Sequence, residues 1–175
     1  NVSGEQPTAP AVPSLRRALL LGSLLIFLDA FYVNSGGIAL LVGLWVLVIG
    51  LPLTFLAKKF ATVQKQRLRN IAIYIVAVIL VFMFNAANNN IAKRRADVLV
   101  SAVKAFHATN QRYPKSLEEL VPDYVQQIPL AKYTLAFNKF FYSGSGKDAI
   151  LFYVKVPPFG RPTYSFARNE WRYLD

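Results

Sequence analysis

The sequence predicts a membrane α+β protein: three transmembrane helices, the third continuing as a long helix that packs on a small antiparallel β-sheet. Three observations predict it. Hydrophobic residues make up 54% of the 175, and the excess lies in the first half, in apolar runs at 15–33, 38–57 and 71–87. Each run is near the length that crosses a hydrocarbon core of about 30 Å. The segment after the third run, IAKRRADVLVSAVKAFHATN, is apolar on one face only, as in a helix resting on a neighbour. Beyond residue 130, aromatic and β-branched residues come in short runs separated by turn residues, the signature of strands.

Taken in order, residues 1–14, NVSGEQPTAPAVPS, are polar and proline-rich and predict a disordered leader. Residues 15–57 form a transmembrane helical hairpin, turned at Asn34-Ser35-Gly36-Gly37 and kinked near its end by Pro52. Residues 58–70, KKFATVQKQRLRN, carry five basic residues and no acid, and read as a basic cytoplasmic loop. Arg16 and Arg17 place the N-terminus on the same side, against the opposing signal of Lys93-Arg94-Arg95. Residues 71–110 are the transmembrane plus amphipathic helix, with Ile91, Val98, Leu99, Ala102, Val103 and Phe106 as its apolar stripe. Asn88-Asn89-Asn90 predict a hinge, a bend or melted turn where the helix leaves the bilayer, because asparagine is a poor helix former.

Residues 111–175 form an α+β domain across the membrane. Tyr113-Pro114 ends the long helix, and Ser116 with Glu119 forms a capping box for a short one. The runs YTLAF, KFFYSG, AILFYVKV, PTYSF and EWRYLD predict a meander of about four strands on the Val98/Phe106 stripe. Turns are placed at Asn138-Lys139, Ser143 to Lys147, Pro157 to Gly160 and Arg168-Asn169. So short a tail needs the long helix for part of its core.

The chemistry is that of a binding protein. Without cysteine there is no disulfide, thiolate metal site or cysteine nucleophile. The net charge of +11 is spread along the chain, with no basic block longer than Lys93-Arg94-Arg95, which argues against nucleic acid. His107 is the single histidine and reads as a surface or capping residue. No G-x-S-x-G or P-loop motif is present, and Gly144-Ser145-Gly146 reads as a hairpin turn. Catalytic residues, cofactor, metal and small-molecule substrate are therefore not expected. Asp29 is the candidate intramembrane polar site, since an ionisable group within a span is costly to bury. The milder reading is that it lies near the end of its span and pairs with interfacial water or a neighbouring helix. Phe141, Tyr153, Tyr164, Phe166, Trp171 and Tyr173 are the candidate partner surface, because a small sheet cannot hide so many rings.

The run from Ala96 to Pro129, ADVLVSAVKAFHATNQRYPKSLEELVPDYVQQIP, resembles the globular start of type IV pilin-like proteins, and most of all the major pseudopilin of type II secretion. The resemblance extends in element order over residues 71–175. It implies a pilin-like domain in the periplasm of a bacterium, anchored in the inner membrane with the N-terminus cytoplasmic. The helix starts Asn70-Ile71-Ala72-Ile73-Tyr74, without the cleavage glycine or the glutamate at the fifth position of pilins, and two apolar segments precede it. Of the acidic residues that hold calcium in the pseudopilin's late loops only Asp148 has a counterpart, so no metal site carries over. The resemblance implies a membrane-held accessory or assembly protein for a type IV pilus or type II secretion-like machine, contacting the bilayer and other membrane or periplasmic subunits. The alternative is a small accessory subunit of a membrane enzyme or transporter, with Asp29 near the functional path.

Overall fold

A computed structural model describes residues 11–57, 60–144 and 148–174. Helix α1 spans Leu15–Ile26 and runs on through wider π-helical turns at Phe27–Val33. Helix α2 spans Gly37–Trp45, loosens to π-helical turns at Val46–Gly50, and resumes as α3, Leu51–Leu56. Pro52 opens α3. Proline has no N–H to give and clashes with the carbonyl four residues back. The register adjusts just before it, where the Leu51 N–H reaches the Val46 carbonyl.

Helix α4 runs unbroken from Ala61 to Asn110, 50 residues and about 75 Å. It begins ten residues before the expected start, so most of the expected basic loop is helix. Lys58 and Lys59 lie outside the described residues. The reason is legible: ATVQKQRLRN has no glycine or proline and is rich in helix formers, while Val63 and Asn70 bury themselves. Arg67 also donates to the Leu53 carbonyl of α3 (2.7 Å). Residues 37–56 and 61–110 each form a helix long and apolar enough to cross a membrane.

The expected leader divides. Residues 1–10 lie outside the described ones, but the rest is held. Ser14 caps α1 by accepting from the Arg17 amide, and Asn70 on α4 donates to the Pro13 carbonyl (2.8 Å).

Helix α4 ends where Gln111 adopts φ 57° and its N–H reaches the His107 carbonyl, a left-handed cap. Leu117–Leu120 is a single 3-10 turn. The capping box is replaced by a related arrangement. Glu119 reaches back to the Lys115 amide (2.9 Å) instead of that of Ser116, and pairs with Arg112 (2.9 Å). These two contacts, the amide first, hold its carboxyl below the usual range.

Four strands follow, β1 (Phe141–Ser143), β2 (Ile150–Phe152), β3 (Arg161–Ser165) and β4 (Glu170–Leu174), in a simple antiparallel meander. Residues 145–147, within the expected β1–β2 turn, lie outside the described ones. The register sets Tyr142 beside Leu151, Leu151 beside Tyr164, and Tyr164 beside Trp171. Side chains alternate along a strand, so this row shares one face, and it packs on Leu99, Val103 and Phe106 of α4. The stripe is rotated from the expected one. Ala92 and Ala96 are its lower members, whereas Val98 is exposed.

Candidate functional site

The distinctive chemistry of the chain gathers where the α1–α2 turn meets α4 and the globular domain. Asp29 is completely buried there. Its Oδ1 accepts from the amides of Ser35 (3.2 Å) and Gly36 (2.6 Å) and the Ser35 hydroxyl (3.1 Å), and its Oδ2 accepts from the Ala39 amide (2.8 Å). Gly36 occupies the N-cap position of α2 with φ 78° and has no side chain to offer. Asp29 therefore does from the preceding helix what a capping side chain does locally, and its charge faces the positive end of α2. A Cβ on Gly36 would stand 3.1 Å from the Phe82 ring of α4, so the turn presses closely on the long helix.

The asparagine run behaves differently from its propensity. No melted turn occurs at Asn88-Asn89-Asn90; the helix passes straight through in its hydrogen-bonding pattern. Asn88 is buried, and its Oδ1 accepts the Tyr133 amide (3.2 Å) from the globular domain. Tertiary bonding overrides a weak local preference. Asn34 and Asn85 are also buried at this junction, and neither side-chain amide has a partner among the described protein atoms.

Residues 133–137, expected as a strand, form a loop that closes the junction. The amides of Leu135 and Ala136 donate to the carbonyls of Phe31 (2.9 Å) and Tyr32 (3.0 Å) at the end of the first helix. No strand ladder is open to those amides, because helix carbonyls have taken them. Arg95 holds the loop from α4. It donates to the Leu130 carbonyl (2.7 Å), bonds the Tyr133 hydroxyl, and lies over the Tyr133 ring. Outward from these anchors Leu130, Tyr133, Leu135 and Phe137 are all exposed.

Lys132, which the sequence reading passed over, is buried in the same loop, and its Nζ donates to the Lys155 carbonyl (2.8 Å). Burial, and next the charge of Lys155, hold its pKa down to about 8. A lysine beside Tyr133 in an aromatic run gave no pattern that could have singled it out.

The expected partner surface splits apart. Tyr153, Tyr164 and Phe166 belong to the core, with Trp171 half-buried against it. Tyr164 and Phe166 offer no surface to a partner in this fold, and Tyr153 shows only an edge, in a groove beside α4. Phe141 and Tyr173 remain exposed. Aromatic residues crowd both faces of these strands, so alternation alone did not decide which face looked inward. Asp148 ties two loops together by accepting from the Ser165 hydroxyl (2.7 Å) and the Ala167 amide (3.0 Å). His107 stacks on Tyr113 with ring centroids 4.2 Å apart. Among the described residues no group of histidine, aspartate and glutamate has the arrangement of a metal site. Comparison of the chain with protein-family models, curated proteins and solved structures gives no match.

Proposed function

We propose that the protein is a non-enzymatic accessory or assembly component of a bacterial inner membrane, held by three spans with its N-terminus cytoplasmic. Its C-terminal domain is a periplasmic, pilin-like interaction module serving a pilus or type II secretion-like machine. The observation that carries this reading is the seal between domain and hairpin, formed by the Leu135 and Ala136 amides on the Phe31 and Tyr32 carbonyls. It joins the apolar helices to the outer domain as one scaffold, so a partner bound in the membrane and one bound outside it are held in fixed relation. Further support comes from the resemblance over Ala96 to Pro129 and from a lateral apolar groove of about 330 Å³ between the helices, which includes Leu21, Leu25, Val42, Trp45 and Tyr74. The first helix carries Arg16 and Arg17 at its start and buries Asp29 against the turn near its end, which suits it to crossing despite those charges. The same hydrogen bonds weigh against the alternative, because a carboxylate engaged in capping α2 is poorly placed to carry ions or protons.

Two measurements test the reading. A photo-crosslinking residue at Leu21 or Trp45 in native membranes should capture a recurrent membrane subunit of such a machine; capture of lipid alone would overturn the assembly role. A single cysteine at exposed Ala108, in a chain with none of its own, should react with an impermeant thiol reagent once the outer membrane is opened, while one at exposed Gln66 should not. The opposite pattern would invert the orientation.

A further inference from the structure

Beside the junction, a groove of about 270 Å³ runs between α4 and the sheet, and its lining includes Asn89, Lys93, Tyr153, Lys155, Trp171 and Tyr173. Two lysines contribute to that lining and no carboxylate does. Asp97 stands one turn beyond Lys93, where its charge acts on Tyr153. Lys155 donates to the Tyr173 hydroxyl (2.9 Å), and buried Lys132 adds a third amine behind it through the Lys155 carbonyl. The groove is thus a site of positive potential walled by aromatic rings. Asn89 adds a separate feature: its Oδ1 is shielded from solvent and has no donor among the described protein atoms. An occupant that suits this lining brings acceptor oxygens carrying negative charge for the lysines and a hydroxyl donor for the asparagine.

The position of the groove narrows the source. The apolar part of α4 ends at Ala87, and Lys93 stands six residues on, about 9 Å along the axis. If α4 crosses the bilayer as proposed above, on which this inference rests, the groove lies in the headgroup layer. Tyrosine and tryptophan concentrate there at either face, and a lysine just beyond the end of a span extends its amine into it. We propose that the groove binds the headgroup of an anionic phospholipid of the phosphatidylglycerol type. The phosphate oxygens accept from Lys93 and Lys155, the glycerol hydroxyl donates to Asn89, and the acyl chains run down beside α4.

The test uses the full chain in neutral maltoside micelles, with Trp45→Phe so that Trp171 is the reporting tryptophan. Short-chain phosphatidylglycerol should give a saturable change in Trp171 fluorescence, and short-chain phosphatidylcholine should not. Lys93→Gln and Lys155→Gln should each weaken the response about tenfold, the loss expected for one charge-assisted hydrogen bond. Lys93 is exposed, so that variant decides the matter alone if Lys155→Gln unfolds. Equal responses to the two lipids, or a response unchanged by Lys93→Gln, would overturn the site. An equally strong response to free glycerol phosphate would overturn the lipid as its source. Retention of the protein in the membrane pellet after alkaline carbonate extraction tests the membrane reading separately.

Discussion

Replacing Asp29 by asparagine tests whether the junction is held as described. Asparagine keeps the shape of the side chain but turns one acceptor oxygen into a donor NH2. Both carboxylate oxygens are in use, Oδ1 toward Ser35 and Gly36 and Oδ2 toward Ala39. Whichever way the amide turns, one buried N–H faces another donor. A buried N–H left unpaired costs about 1–3 kcal/mol, and the weakening of the remaining bond as the charge disappears adds about 1 kcal/mol. At about 2–4 °C per kcal/mol for a chain of this size, the thermal midpoint should fall by roughly 4–16 °C. The assay is far-UV circular dichroism during heating in a mild detergent. Ser35→Ala removes one charge-assisted bond to Asp29 and the acceptor of the exposed Gly37 amide; it should cost about 1.5–3 kcal/mol, which makes it the internal scale. A midpoint for Asp29→Asn within about 1 °C of the parent would refute the capping role. If that unchanged midpoint came with lost activity of a host complex, Asp29 would belong to a functional path instead.

Further expectations follow from the same geometry. An alanine at Gly144 would put its Cβ 1.9 Å from the Pro114 carbonyl oxygen and 3.0 Å from the Tyr142 hydroxyl. Backbone cannot swing aside as a side-chain tip can, so Gly144→Ala should cost at least about 2 kcal/mol in thermal unfolding; a neutral result would mean that the two loops stand apart. Lys132 gives a pH signature. Its folded pKa is held at about 8 against an ordinary 10.5, so the unfolded chain binds more protons and stability should rise as pH climbs through that window, by up to roughly 3 kcal/mol. Tyr142 and Tyr153, pushed up to about 12 chiefly by burial against an ordinary 10.0, act in the opposite sense and should withdraw stability above pH 10. Denaturant midpoints measured across this range should therefore rise and then fall, and Lys132→Met should abolish the rise alone.

How much of this was legible depended on whether a local pattern carried it. The hairpin ends were, because Val33 and Gly37 flank a turn of asparagine, serine and glycine. The meander was, because turn residues punctuate it. The start of α4 could have been read, since residues 61–70 have every mark of a helix; the basic charges drew them toward a loop. The failures share one cause, long-range bonding. Asn88 gave every local sign of weakening its helix, and its stabilising partner, Tyr133, lies 45 residues away. YTLAF has the composition of a strand, but its amides are engaged by carbonyls a hundred residues earlier. The aromatic face was undecided because Tyr164 and Thr163 are both buried in β3, one beneath the sheet and the other above it.

The junction also explains why hairpin and domain occur in one chain. A helix end leaves carbonyls without donors, and in an apolar setting such groups are costly. At the end of the first helix the Asn34 amide is drawn back to the Asp29 carbonyl (2.6 Å), so the turn supplies nothing to Phe31 and Tyr32. Their donors come from Leu135 and Ala136, which are held in place by Asn88 and Arg95 of α4. The π-helical register that brings Asp29 round to cap α2 thus leaves two carbonyls for the globular domain to claim. Cutting the chain after Asn110 would return those carbonyls to their surroundings unpaired. It would also uncover Leu99, Val103 and Phe106 on α4, and destabilise the hairpin from outside it.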